Sequence, residues 1–139
     1  MPDNIIEDLN ADFTAPDNAS TLTDTYQVNG SDQNVTFNLI FGPLGVAPMS
    51  AVKLDDAVLL SNTAGSLTAV NVGANKDIAG KFLNISTVVS VTSATSVPAN
   101  ITLDFSLTGG TGNYQHSIMQ TANVSGTSVF FSITIFFFT

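Results

Sequence analysis

The side chains able to do acid–base or nucleophilic chemistry are few in this sequence, and their spacing suits none of the common sites. Among 139 residues there is one histidine, His116, and no cysteine. Nucleophilic catalysis needs a base beside the nucleophile. His116 lies in a weakly alternating segment with Tyr114 and Ile118 two positions away on either side, where a packed or surface imidazole is expected. A zinc site takes three or four protein ligands, mainly Cys and His, and this composition cannot supply them. The carboxylates Asp55 and Asp56 are adjacent and would fall on opposite faces of an extended segment, so they cannot face each other across a sugar and read as turn residues. Calcium has oxygen donors at Asp55, Asp56 and Asp77, or along Asp24 to Asp32, but no loop with the required ligand spacing. The glycine-rich stretches GPLG and GGTG lack the Lys-Ser/Thr of a phosphate loop and read as turns. The expectation is a protein with no catalytic, metal or cofactor-binding residues, and not an enzyme.

Charge removes a further class of function. The bases are Lys53, Lys76 and Lys81 against eleven acids, a net charge of −8. Binding to phosphate backbones by counterion release requires clustered Lys or Arg, so nucleic acid is not an expected partner. Seven of the eleven acids, from Asp3 to Asp32, precede residue 33 with no base among them. Residues 1–19 are acidic and contain Pro2 and Pro16; no basic stretch followed by an apolar core marks a secretory signal there. Their large apolar residues, Ile5, Ile6, Leu9 and Phe13, belong either to a solvated leader or to an acidic N-terminal arm that docks on a neighbouring subunit.

The elements that would carry any site are strands. Segments of period-two alternation recur between clusters of Gly, Pro, Asn and Ser, and no helical period persists over three turns. The spacing predicts eight strands, over residues 20–28, 34–41, 51–60, 66–72, 82–92, 100–107, 114–121 and 128–139. Asn29-Gly30 favours a tight hairpin after the first. A bulge or break is expected at Asp55-Asp56, because Asp56 would otherwise enter the core unpaired. The fourth segment switches phase from Leu67 and Ala69 to Val70 and Val72, as a bulged strand does. Residues 73–80 and 42–48 read as loops, and 114–121 as an edge strand.

The terminal segment is the most demanding. Five of the ten phenylalanines lie in the last ten residues, and Val129, Phe131, Ile133, Ile135 and Phe137 form an unbroken apolar face. An edge position would waste that face and invite aggregation, so a central strand is predicted. Twelve residues of this β-branched and aromatic content are neither long enough nor of the right type for a membrane-spanning helix. The aromatic girdles of an outer-membrane barrel are missing from the middle segments, and the segment 114–121 is too polar for one. The predicted fold is all-β: an eight-stranded antiparallel jelly-roll or Greek-key β-sandwich over residues 20–139, preceded by the acidic arm of residues 1–19.

The opposite face of the last strand carries Phe130, Phe136 and Phe138, which meet either loops of the same subunit or another subunit. Few catalytic residue types and polar faces of Ser, Thr and Asn suit permanent packed contacts, where buried charge is costly. These features lead to the expectation of a structural assembly subunit that self-associates and packs against other structural proteins. By fold-level analogy it would be a virion protein: a vertex or penton, a spike, or a minor capsid jelly roll. The alternative is an extracellular or cell-surface adhesin, pilus-type or carbohydrate-binding sandwich, although Tyr26 and Tyr114 are the only tyrosines and there is no tryptophan.

Overall fold

Alternating side chains decide the architecture. The computed structural model describes residues 19–43, 46–91, 98–122 and 126–139. Nine strands form among them: β1 (Ala19–Gln27), β2 (Asn34–Gly42), β3 (Val46–Leu54), β4 (Ala57–Ala64), β5 (Leu67–Ala74), β6 (Phe82–Val91), β7 (Ala99–Gly110), β8 (Gly112–Ala122) and β9 (Ser128–Phe138). One short helix, α1 (Asn75–Ile78), joins β5 to β6. The strands make two open sheets, ordered β1-β9-β6-β3-β4 and β5-β2-β7-β8, as in a β-sandwich.

The inner faces are built by the residues that alternate. In β9, Val129, Phe131, Ile133, Ile135 and Phe137 are all buried, as are Leu83, Ile85, Val89 and Val91 of β6. Ile101, Leu103, Phe105 and Leu107 of β7 face Val35, Phe37 and Leu39 of β2 within the other sheet's half of the core. Each such side chain contributes roughly 1.5–3 kcal/mol on full burial, so the inner face of β9 alone contributes on the order of 10 kcal/mol. The terminal strand takes the central place expected of it, between β1 and β6. Two hydroxyls also enter the core: Ser50 and Thr87 are buried and satisfy each other at 2.7 Å.

Four expectations are corrected. The strands number nine, because the segment 51–60 belongs to two strands joined by a turn at Asp55-Asp56. Asp55 adopts φ 50°, its N–H donates to the Phe82 carbonyl at 2.8 Å, and its carboxylate accepts the Phe82 N–H at 2.8 Å. The sandwich is not antiparallel throughout, since β1 and β9 pair in parallel. Asn29-Gly30 makes no hairpin: β1 and β2 lie in different sheets, and the loop between them is held from elsewhere. Finally, β3 begins at Val46 and includes Pro48. The imide nitrogen of Pro48 points with its carbonyl toward β4, where the ladder has ended and only the Gly65 N–H reaches that carbonyl, at 3.1 Å. The phase switch in β5 is a bulge at Ala69 (φ 50°), whose N–H donates to the Asn38 side chain at 2.7 Å. Ile5, Ile6, Leu9 and Phe13 lie outside the described residues, as does nearly all of the segment 1–19.

Asn75 holds the β1–β2 loop. It is fully buried at the start of α1. Its amide donates to the carbonyls of Gln33 (2.7 Å) and Gly109 (2.9 Å), and its oxygen accepts the Asn29 N–H at 3.0 Å. The β7 chain passes so close here that a Cβ on Gly109 would lie 2.2 Å from the Asn34 carbonyl oxygen, and Gly109 has φ 100°, so glycine is required.

The sheets are stitched along their β1 and β8 edges by side chains instead of a ladder. The Tyr26 hydroxyl donates to the Gly112 carbonyl and accepts the Gly110 N–H at 3.0 Å. Ser20 donates to the Gln120 side chain at 2.7 Å, and the Tyr114 hydroxyl to the Asp24 carboxylate at 2.8 Å. Burial first, then the hydrogen bond and charge of Asp24, push the Tyr114 hydroxyl well above the usual tyrosine range.

Two stability predictions follow from these contacts. Asn75→Ala removes the partner of the part-buried Gly109 carbonyl and Asn29 N–H, while the Gln33 carbonyl keeps the backbone N–H of residue 75, and should cost about 2–4 kcal/mol in urea unfolding. The folded state keeps the Tyr114 proton to higher pH than an unfolded chain, whose tyrosines ionise near pH 10, as reference values give. Its contribution is therefore complete below about pH 10 and lost as pH rises beyond it. Unfolding midpoints measured from pH 8 to 12 should fall above that point, and Tyr114→Phe should make the fall shallower.

Candidate functional site

The outward face of each strand is what the core leaves over, and on the five-stranded sheet it is sorted by size and polarity. Register pairs place Phe130 beside Val88, Val88 beside Met49, and Met49 beside Ala64. Two residues further along, Ser132 lies between Thr21 and Ser86, with Ala51 next to Ser86. The next row is Thr23, Thr134, Asn84, Lys53 and Val58, in which Thr134 donates to Asn84 at 3.1 Å. The last is Thr25, Phe136 and Phe82, the two rings 4.8 Å apart.

Successive rows are about 7 Å apart, so the row of small side chains is a trough. A groove of about 390 Å³ lies there, crossing the strands, with Ser132, Ser86 and Ala51 in its lining. Phe130, Val88 and Met49 wall one side, and Asn62 of β4 closes one end. Lys53 is the one charged side chain in these four rows.

Among the described residues, eight large hydrophobic side chains are exposed, and six of them belong to this face: Met49, Val58, Phe82, Val88, Phe130 and Phe138. The other two, Ile40 and Met119, stand on the outside of the four-stranded sheet, where other rows carry hydrogen-bonded polar pairs. Thr36 with Thr108 (3.2 Å), Asn38 with Ser106 (3.3 Å) and Thr121 with Asn100 (3.1 Å) are examples. The two outer faces thus differ in kind, one satisfied within itself and one apolar at both ends.

Of the residues expected at a contact, Phe130 is 40% and Phe138 38% exposed, and Phe136 is half-buried against Phe82. All three share the outer face of one sheet. Sequence reasoning missed Met49, Val58, Phe82 and Val88. The signal for Phe82 and Val88 was present, since both fall out of phase with Leu83, Ile85, Val89 and Val91. Met49 and Val58 become neighbours of these only through register.

The chemistry-bearing residues are scattered. His116 is exposed on the edge strand β8, and Asp55 and Asp56 form the β3–β4 turn. Among the described residues no group of three or more His, Cys, Asp or Glu side chains is placed to hold a metal ion, and no helix is long and apolar enough to cross a membrane. Compared with protein-family models, with curated proteins and with solved structures, the chain gives no significant match.

The two faces of β9 can be told apart by neighbouring substitutions. Phe131→Ala empties a core position and should cost about 3–5 kcal/mol. Phe130→Ala, one residue away and half in solvent, should cost about 1 kcal/mol. Equal losses in urea unfolding would contradict the assignment of faces.

Proposed function

We propose that this chain is a non-enzymatic structural subunit that associates with copies of itself through the outer face of the five-stranded sheet. The observation that carries this reading is the segregation of six of the eight exposed large hydrophobics onto that one face. Contiguous exposed apolar surface marks interaction sites. The scarcity of charge there favours a permanent contact, because burying unpaired charge is costly.

The assembly proposed is a virion component, such as a vertex, spike or minor capsid protein, packed against copies of itself and other structural proteins. Its support is analogy of fold: the last strand of this β-sandwich is inserted beside the first, a placement that jelly rolls share. The parallel β1–β9 pair departs from the antiparallel pattern of that fold. In this reading residues 1–19 are the acidic arm of the subunit.

One observation favours a second reading, a carbohydrate-binding module. The groove presents the hydroxyls of Ser86, Ser132 and Thr21 and the amide of Asn62 opposite the Phe130 ring, a polar and apolar pairing that sugars use.

Sedimentation analysis separates the two. The assembly reading expects a discrete oligomer at micromolar concentration, unchanged by detergent or by sugars. Val88→Lys should weaken association by tenfold or more, the order of loss when a central interface residue is replaced, while leaving the unfolding midpoint nearly as it was. A monomer at every concentration, binding an oligosaccharide, would overturn it.

A further inference from the structure

We propose that the groove walled by Met49, Val88 and Phe130 receives apolar side chains from residues 1–18 of a second copy of the chain, Phe13 foremost. The inference rests on the assembly reading and names its contact. It draws first on where that segment joins the fold. Ala19 pairs in register with Phe130, so the preceding chain leaves the sheet beside the groove's own wall. β1 runs from the Phe130 row toward the Phe136 row, so residues 1–18 are tethered at the Phe130 end of the sheet. In the assembly reading the same face of a second copy lies against this one, which brings its groove within reach of that segment. Eighteen residues extend to at most about 60 Å. A neighbour's five strands span only about 19 Å from first to last.

Chemistry is the second support. Ile5, Ile6, Leu9 and Phe13 are embedded among Asp3, Glu7, Asp8, Asp12 and Asp17. The groove offers an apolar wall to the former, and the row across from that wall contains Lys53, a cation suited to the latter. Ser86, Ser132 and Ala51 between them are short enough to admit a phenyl ring.

The chain has no cysteine, so disulfide trapping can be read cleanly. Full-length Phe13→Cys and Ser86→Cys proteins are mixed in equal amounts under mild oxidation, and disulfide-linked peptides are identified by mass. Phe13→Cys mixed with Ser117→Cys, on the outside of the four-stranded sheet, is the control. The expected result is a 13–86 link between two chains, at least tenfold more abundant than the 13–117 link. In the Phe13→Cys/Ser86→Cys double variant the link should again join two chains; an internal link in a monomer assigns the groove to the chain's own segment and overturns the exchange. Sedimentation of the unsubstituted protein is measured in parallel. An oligomer that shows no excess of the 13–86 link defeats the exchange and leaves the assembly reading standing, whereas a monomer defeats both.

Discussion

The sandwich depends on one insertion: β9, the last strand of the chain, must enter between β1, the first, and β6. Its buried face supplies Phe131, Ile133, Ile135 and Phe137 to the middle of the core. Neither neighbour has a β partner on that side until it arrives. β1 has no other ladder partner, so the parallel β1–β9 pairing is what makes the amino-terminal strand part of the sheet. Pairings between the two ends of a chain carry a high loop-closure cost and reward folding late. The side-chain stitches from Ser20, Asp24 and Tyr26 to β8 then fix the same strand to the opposite sheet. β1 is thus held from two directions, by the ladder to β9 and by the side-chain bonds to β8.

Much of this was legible in the residues. The core phases of β2, β6, β7 and β9 follow from alternation, and the break at Asp55-Asp56 follows from a carboxylate that no core would take. The bulge in β5 is visible as a slip of phase, because a one-residue insertion moves every later side chain to the other face. Other features are properties of pairing and leave no local trace. Whether β1 meets β9 in parallel or antiparallel changes nothing in the alternation of Leu22, Tyr26 and Val28. Asn29-Gly30 has hairpin chemistry, yet its loop crosses between sheets because Asn75 takes its backbone groups. Asn75 in turn reads as one more polar residue in a polar stretch, and Ile78 is too short a signal to announce α1.

Both outer faces are built of Ser, Thr and Asn with little charge, and this has a physical consequence. Short polar side chains on adjacent strands can satisfy one another across the ladder, as Thr36 and Thr108 do. A face paired in this way gains little from a partner. Where large apolar residues interrupt the pattern, as Phe130, Val88 and Met49 do, the surface is left with contacts to make and no ion pairs to break. The contrast between the two sheets therefore distinguishes a finished surface from an unfinished one within a single domain.

The same contrast explains how far the candidate site could be read. Phe130, Phe136 and Phe138 are visible at once, because one strand carries both an apolar core face and three further rings that the core cannot hold. Their companions are not, because a patch belongs to several strands and its members are chosen by register. Val88 reaches Phe130 only through the β6–β9 pairing, and Met49 reaches Val88 only through β3–β6. The groove is subtler again, since it is made by the smallness of Ser132, Ser86 and Ala51, residues that look unremarkable on any one strand. A surface feature defined by a row across strands becomes legible only once strand order is known, so the site lay one level of organisation beyond the alternation that disclosed the fold.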